Sequence, residues 1–566
     1  GISRNRFAPF FRETETTLDF RPRNPHPHWT KLRPAAQEDI KLIWEPARFC
    51  WAVDLARAWL LSGNPSYKNI FFEQVRRFTR ENPAGCGENW LSAQEAAIRI
   101  ILFSFCGSLF LNGTDPEEPE RRFLAEVIRT HAERIPPTLS YARAQNNNHW
   151  LSEAAGLMTA ACVLPDAAQA EKWFATGWKE FRRALGKQIA PDGAYIQAST
   201  NYHRMMLQLV LWVDFLLRMK RLSWPPALHG KIRHATNWLV RWTDCSSGQA
   251  CNLGHNDGTL LFATGGEYAD YRPTLQALSR RFCGQPLYPS GPWDELGRWF
   301  GVQTAESPRE MQSPQPDSIF NDTVLHVGER SDWGLIQTLG YKGRPAHDDQ
   351  LNVHLWHSGQ PAALDAGTYQ YNALPPWNNG LKTAFVHNLL LVDRMEPMTD
   401  AGKFLWLDWD RARVLERNDH SAVAEHTAFE KIGLKHVRRL EKTTEGWQIV
   451  DQVTPLTPPD PLIHHYRLHW LLADQPFEMM PGNGELGLST AVFALRFVCA
   501  SVPLEIQLIR AGETVFASGN MAEPEEIQAI SGWFSPTYAE KKPALSVIVT
   551  ASGLAPFTIR SEWRFF

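Results

Sequence analysis

The chain has 566 residues, of which 43% are hydrophobic and 21% charged, and it carries a formal net charge of −3. That length suits roughly two to four domains, and the composition is that of an ordinary globular protein. The near-neutral balance excludes a global basic field for nucleic acid, so an acidic partner has to be held by a local patch. No run of 18 apolar residues is present, which predicts no membrane span, and the opening GISRNRFAPFF does not have the order of a signal peptide. The eight cysteines form no C-x-x-C and sit in apolar contexts, as small buried hydrophobes do; Cys245 and Cys251 are close enough in sequence to bridge. The 23 tryptophans offer aromatic faces that suit sugar rings as well as core packing.

In chain order, residues 1–40 are rich in Pro, Arg and Asn and are expected to form an extended arm. From Ile43 the apolar spacing becomes helical. IWEPARFCWAVDLARAWLLSG stops at Gly63, and SYKNIFFEQVRRFTREN stops before Pro83. SAQEAAIRIILFSFCGSLFL follows, with Ser92 and Glu95 spaced as a capping box. Helical patterns joined by short loops continue to residue 302, about ten in all, and favour a toroid or solenoid of hairpins over 41–302, with functional residues on the loops of one rim if it is a toroid. TAESPREMQSPQPDS, residues 303–317, reads as a linker. From 318 to 566 the period changes to two, with β-branched and aromatic runs between turns, predicting stacked antiparallel β-sheets. The fold class is therefore multidomain, α followed by all-β. A cleft between two such domains is a usual place for a ligand.

Four polar clusters stand out. In QNNNHWLSEA, Gln145 to Ala154, Asn146 to His149 precede an apolar helix pattern, and helix mouths of this kind attract anions. The plainer reading is an Asn-rich cap and a core Trp150. In QASTNYHRMMLQ, Tyr202 and His203 open a helix, either accessible at a rim or packed. CNLGHNDGTL, residues 251–260, is a polar turn carrying His255. Finally, His347, Asp365 and His387 lie in or beside predicted strands, and two imidazoles with a carboxylate suit a divalent metal such as zinc.

Taken together, Trp90 to Arg99 (WLSAQEAAIR), NNHW, YHR, the G-x-N-D-G loop, H-x-D, LDAGTYQY and HN come in an order that resembles the heparinase II/III-like polysaccharide lyases, relatives of which cleave alginate. The resemblance implies an (α/α) toroid packed on an antiparallel β domain. It implies β-elimination on a uronic-acid polysaccharide, a glycosaminoglycan of the heparin or heparan sulfate type first, with alginate or a bacterial exopolysaccharide as the alternative. It implies that Asn148 and His149 neutralise the uronate carboxylate, that Tyr202 is the catalytic Tyr, and that His347, Asp365 and His387 hold a structural metal, usually zinc. A periplasmic or secreted bacterial protein is implied as well. Asn147, Trp150 and Glu153 around the helix mouth, with Arg143, His203 and Arg204, form the candidate substrate-binding set. One departure is Pro345, which stands where several family members carry a further catalytic His. Either Tyr202 moves both protons, or His149, His203 or His255 substitutes. Two rival classes are a toroid glycoside hydrolase using two of Glu153, Asp192 and Asp257, and a non-catalytic glycan-binding protein.

Overall fold

The computed structural model describes residues 5–33, 38–113, 115, 118–302, 324–329, 332–480, 486–519 and 523–566. The expected linker, 303–317, lies outside them. Two compact units make up the chain: Gly1–Tyr195, Tyr202–Asn237 and Gly258–Gln312 form the first, and Ile196–Asn201, Trp238–Asp257 and Ser313–Phe566 the second. Helices fill the first and antiparallel sheets the second, the order expected from the change of period. Two short segments from the helical half of the sequence, 196–201 and 238–257, belong with the sheets.

In the helical unit, the helix Ala93–Phe110 is apolar on nearly all sides and buried for almost its whole length. By length and hydropathy it could cross a membrane, but 89% of it is buried inside the protein, as befits a central core helix. The helix Asn148–Val163 packs against it and against Ala170–Gln188. Two glycines let these backbones approach. A Cβ on Gly156 would stand 2.7 Å from the Cβ of Ala97, and one on Gly177 would stand 2.6 Å from the carbonyl of Ala154. Ser92 occupies the N-cap of Ala93–Phe110, yet its hydroxyl makes no capping bond. Glu95, the other half of the expected box, instead takes a two-pronged bond from Arg48 at 2.8 and 2.9 Å. The N-terminal stretch is a packed element with local structure: Arg6–Phe7 pairs with Thr16–Thr17, Phe10 and Phe20 are fully buried, and Asn82 Nδ2 donates to the Phe20 carbonyl at 2.9 Å. All eight cysteines are described and none forms a disulfide, so Cys245 and Cys251 do not bridge.

In the sheet unit, one sheet runs in the order 412–417, 421–426, 434–442, 446–455, 557–565, 493–498, 486–489 and 478–479. The other follows 513–517, 505–510, 542–554, 463–473, 360–363, 353–357, 332–337 and 324–329. Their inner faces share one core that includes Leu325, Leu440, Trp470 and Trp563, and the Trp470 and Trp563 rings meet edge-on at 5.2 Å. Along Leu434–Lys442 burial alternates strictly, so His436 and Arg438 face inward with Leu434 and Leu440. These polar residues are satisfied by one another. Asp410, His426, His436, Asp451 and Arg438 form a continuous buried chain of hydrogen bonds. Arg438 ends it by donating to the carbonyls of Leu351 and Asn388 at 2.9 and 2.5 Å, which fixes the two loops that carry the histidines described next.

Candidate functional site

In the helical unit, the short helix Leu139–Gln145 ends on Asn146 in the left-handed region (φ 50°), and Asn147 caps the helix Asn148–Val163 by accepting from the His149 N–H at 3.1 Å. The Asn147 carbonyl takes a bond from Gln188 at 2.9 Å, so the helix mouth is held rigidly. Asn148, the first helical residue, is buried, and its Nδ2 reaches Met205 Sδ at 3.6 Å. Met205 lies one turn beyond Tyr202 on the helix Thr200–Met219, so the face that carries Tyr202 is the one Asn148 meets. Tyr202 is 6% exposed and His149 is half-buried.

The neighbours named with them from the sequence have other employment. His203 is fully buried, with Nε2 bonded to the Ala235 carbonyl at 2.9 Å. Burial lowers its pKa to about 3, which keeps the ring neutral and removes it as a cationic partner for a phenolate. Arg204 is also fully buried; it bonds the Tyr268 carbonyl and stacks on Tyr271 at 4.0 Å. Trp150 is buried and donates to Glu180 at 3.0 Å, and Arg143 pairs with the same Glu180 at 3.0 Å. Glu153 is 3% exposed, and burial, only partly opposed by Arg134, raises its pKa to about 8. His203, Arg204, Trp150 and Glu153 are therefore all buried within the helical unit. Of the carboxylates a hydrolase would need, Asp192 accepts a turn bond from Ala194 and Asp257 accepts from Asn201 at 3.2 Å.

In the sheet unit, His347 and His387 come together with Asp349, the three offering ligand atoms within 4.8 Å of one another. All are buried. His347 Nδ1, Asp349 Oδ2 and His387 Nε2 have no protein partner, an arrangement that is costly unless something else binds them. Asp365 stands beside this group. Its Oδ2 is 3.4 Å from His387 Nδ1 and accepts from Asn352 at 2.8 Å, while Oδ1 accepts from the Gly367 N–H at 2.9 Å. Burial opposes charge on both members of the pair. Asp365, and after it Asp349, outweighs that and raises the pKa of His387, and His387 in turn holds Asp365 far below the usual carboxylate range. His347 goes the other way, well below its ordinary value through burial and then through His387. Two imidazoles and a carboxylate with unsatisfied atoms are a donor set that fits a divalent cation of the zinc class. Asp365 against the ring nitrogen of His387 is the kind of partner that orients a ligating histidine.

The polar turn at 251–258 is stitched into this group. Thr368 Oγ1 lies 3.3 Å from His347 Nε2, donates to the Gly254 carbonyl and accepts from the Asn256 N–H. The His255 ring sits edge-on to His347, Tyr371 and Phe404 at 5.3, 5.3 and 5.4 Å. The start of the Tyr202 helix is tied to the same turn, because Thr200 Oγ1 donates to the Cys251 carbonyl at 2.7 Å and Asn201 to Asp257.

Comparison with known proteins bears on the family and the fold. A profile described as Heparinase II/III N-terminus matches residues 5–239, and one described as Heparinase II/III-like, C-terminal, matches residues 316–562. The chain belongs to the heparinase II/III family. Two proteins named heparin-sulfate lyase, from Bacteroides thetaiotaomicron and Pedobacter heparinus, are each 25% identical to it, over 158 and 179 residues. The matched stretches cover 28 and 31% of this chain and 22 and 26% of those relatives. A crystal structure of heparinase III superposes with a TM-score of 0.67 at 16% identity, covering 95% of this chain and 79% of the other. The heparan sulfate lyase HepC from Pedobacter heparinus gives 0.57 at 15% identity, covering 99 and 81%. These likenesses show the heparinase II/III fold.

Asp349 was not singled out from the sequence. The signal lay in HDD itself, which places a second candidate ligand two residues after His347.

Proposed function

We propose that this chain is a polysaccharide lyase that cleaves a uronic-acid-containing glycosaminoglycan of the heparan sulfate type by β-elimination. The observation that carries the reading is the placement of Asn148 at a rigid helix mouth, in contact with the helix face that presents Tyr202. The names of the relatives support the substrate class. Elimination needs the carboxylate neutralised so that the carbon-5 proton becomes acidic, a base to take that proton, and an acid for the departing carbon-4 oxygen. The Asn148 amide and the half-buried His149 neutralise the carboxylate and stabilise the enolate-like charge as it develops, and one such donor contributes about 3 kcal/mol. Tyr202 takes the proton and returns it to the leaving oxygen. His203 is neutral and core-bound and so takes no part, and Pro345 has no ionisable group. Asn147 acts through the cap that fixes His149, and His255 positions His347 and Tyr371.

His347, His387 and Asp349 would hold a divalent metal, with Asp365 orienting His387. The resemblance to the family names Asp365 as the ligand, whereas the unpaired oxygen at this group belongs to Asp349. Bound there, the metal braces the loops of the sheet unit. The relatives are bacterial and named for an extracellular polymer, and the periplasm or the exterior of a bacterium is the location we assign. The test is an ultraviolet lyase assay over heparan sulfate, heparin, hyaluronan, chondroitin sulfate and alginate. A new absorbance on a glycosaminoglycan supports the reading. Reducing ends without the chromophore would make the protein a hydrolase, and binding without cleavage would make it a glycan-binding protein.

A further inference from the structure

The buried polar chain of the sheet unit has a proton count that its hydrogen bonds fix. Asp410 Oδ2 meets His426 Nδ1 at 2.5 Å, His426 Nε2 meets His436 Nδ1 at 2.8 Å, and His436 Nε2 meets Asp451 Oδ1 at 2.8 Å. None of these residues is more than 5% exposed. Arg438 closes the chain, with Nε and Nη2 donating to the two oxygens of Asp451 at 2.7 and 3.0 Å. Asp410 Oδ1 accepts from the Thr427 N–H and hydroxyl, and Phe429 packs edge-on against His426 at 5.0 Å. The titratable groups that face Asp410 from elsewhere are Tyr341 and Asp348. Burial, and then neighbouring carboxylates that include Asp410, raise both well above their ordinary values.

Three links need three hydrogens. A carboxylate brings none and a neutral imidazole brings one, so two neutral histidines leave one link bare. The bare link would set two lone pairs against each other inside the protein. One further proton fills it. That proton also balances the charge, because the two carboxylates then face two positive charges, the proton and Arg438; without it a net negative charge is buried. Burial outweighs Asp451 and lowers the pKa of His436 to about 4, so that ring stays neutral. The extra proton therefore belongs to the link between His426 and Asp410, the shortest of the three.

The other end of the chain acts on the backbone. Arg438 Nη1 donates to the carbonyls of both Leu351 and Asn388, at 2.9 and 2.5 Å. Leu351, two residues after Asp349, is fully buried and holds left-handed backbone (φ 61°), a costly conformation for a bulky side chain. Asn388 directly follows His387, and its side chain donates to the Val353 and Leu364 carbonyls at 2.8 Å. One nitrogen thus ties together the segments that bring His347 and Asp349 to His387.

We infer that these five residues form a proton-holding strut: a buried proton shared by Asp410 and His426 keeps the chain joined and neutral, and the chain keeps Arg438 aimed at the two carbonyls that set the spacing of the metal group. Arg438 is a positioning residue for that group, an assignment that rests on the metal reading proposed above. The buried proton does not depend on it.

Two measurements test the two halves. Histidine-selective ¹⁵N spectra at about pH 7.5 read the proton, because an ordinary imidazole, with a pKa near 6.5, is about 90% neutral there. The expected result is a doubly protonated histidine that is present in wild type and absent in Asp410→Asn. The asparagine keeps the shape of the aspartate and donates from its amide to His426 Nδ1, which fills all three links without an extra proton. The same set of doubly protonated histidines in both proteins would overturn the buried proton.

Amide hydrogen exchange on the metal-free chain reads the strut. Arg438→Lys keeps the charge but cannot reach Asp451 and both carbonyls. Segments 347–352 and 386–389 should exchange about tenfold faster while strands 463–473 and 542–554 are unchanged, and zinc binding in equilibrium dialysis should weaken about 10- to 100-fold. Asp451→Asn, which leaves the volume unchanged, replaces the lysine variant if that one does not fold, with the same expectation. Unchanged exchange in the two segments would overturn the strut. Faster exchange with unchanged zinc affinity would overturn its positioning role. Faster exchange in a protein whose wild type binds no zinc removes the metal reading and the positioning role with it, and leaves the strut.

Discussion

Replacing Glu153 by Gln should change how stability depends on pH, by an amount the structure sets. Glu153 is 3% exposed in the middle of the helix Asn148–Val163, and one of its oxygens has no partner. Burial, partly offset by Arg134, lifts its pKa from 4.5 to about 8. The folded protein therefore keeps the carboxyl protonated at neutral pH, while the unfolded chain releases the proton above about pH 4.5. Stability is complete below that value and falls as pH rises through 8. At about 1.4 kcal/mol per pH unit the loss approaches 5 kcal/mol. Gln has the shape of the protonated acid and does not titrate. The advantage of Glu153→Gln over wild type should grow from near zero at pH 4.5 to about 5 kcal/mol at pH 8, and then level off. Urea unfolding of both proteins, followed by tryptophan fluorescence from pH 4.5 to 9, measures this, and other titrations cancel in the difference. A difference that does not vary with pH would refute the reasoning, and one that shrinks with rising pH would reverse it.

Other expectations concern the two sites and the core. Asp349→Ala should abolish binding of one equivalent of zinc in equilibrium dialysis, whereas Asp365→Asn should weaken it about 10- to 100-fold by loosening His387; the reverse ranking would return the ligand role to Asp365. Asn148→Ala should lower kcat on the cleaved glycosaminoglycan by about 100- to 1,000-fold with the fold unchanged by circular dichroism, and a change confined to KM would make Asn148 a mere binding contact. Glu95→Gln breaks the buried pair with Arg48 and should destabilise the protein by about 3–5 kcal/mol in urea unfolding; a cost near zero would mean that the pair is solvated.

Much of this architecture was legible in the sequence. The change from a helical to a two-residue period gives helices first and sheets second, and QNNNHW gave the cap at Asn147 and the helix mouth at Asn148. His347 and His387 were recognisable as partners, but the accompanying carboxylate was not, because Asp349 and Asp365 are both buried and only the hydrogen bonds of Asp365 reveal which oxygens are occupied. His203 and Arg204 look functional beside Tyr202. On a helix, however, consecutive residues point in different directions, and these two turn into the core, where a carbonyl and an aromatic stack satisfy them. WLSAQEAAIR marks the family, yet its Glu95 and Arg99 do structural work: Glu95 binds Arg48, and Arg99 bonds the Asn89 carbonyl and lies over Phe78. The grouping of 238–257 with the sheets depends on long-range bonds such as Asn252 to Ser535 at 2.8 Å, which no local pattern can foretell.

The central claim is that Tyr202 moves the proton in a β-elimination. Its most direct test is the initial rate of ultraviolet absorbance on heparan sulfate for wild type and Tyr202→Phe, with reducing ends counted in parallel. The account predicts that wild type generates the unsaturated uronate in step with each new reducing end, and that Tyr202→Phe is slower by about a thousandfold or more while unfolding at the same urea concentration. Reducing ends without the chromophore, or a Tyr202→Phe enzyme that works at near the wild-type rate, would contradict it.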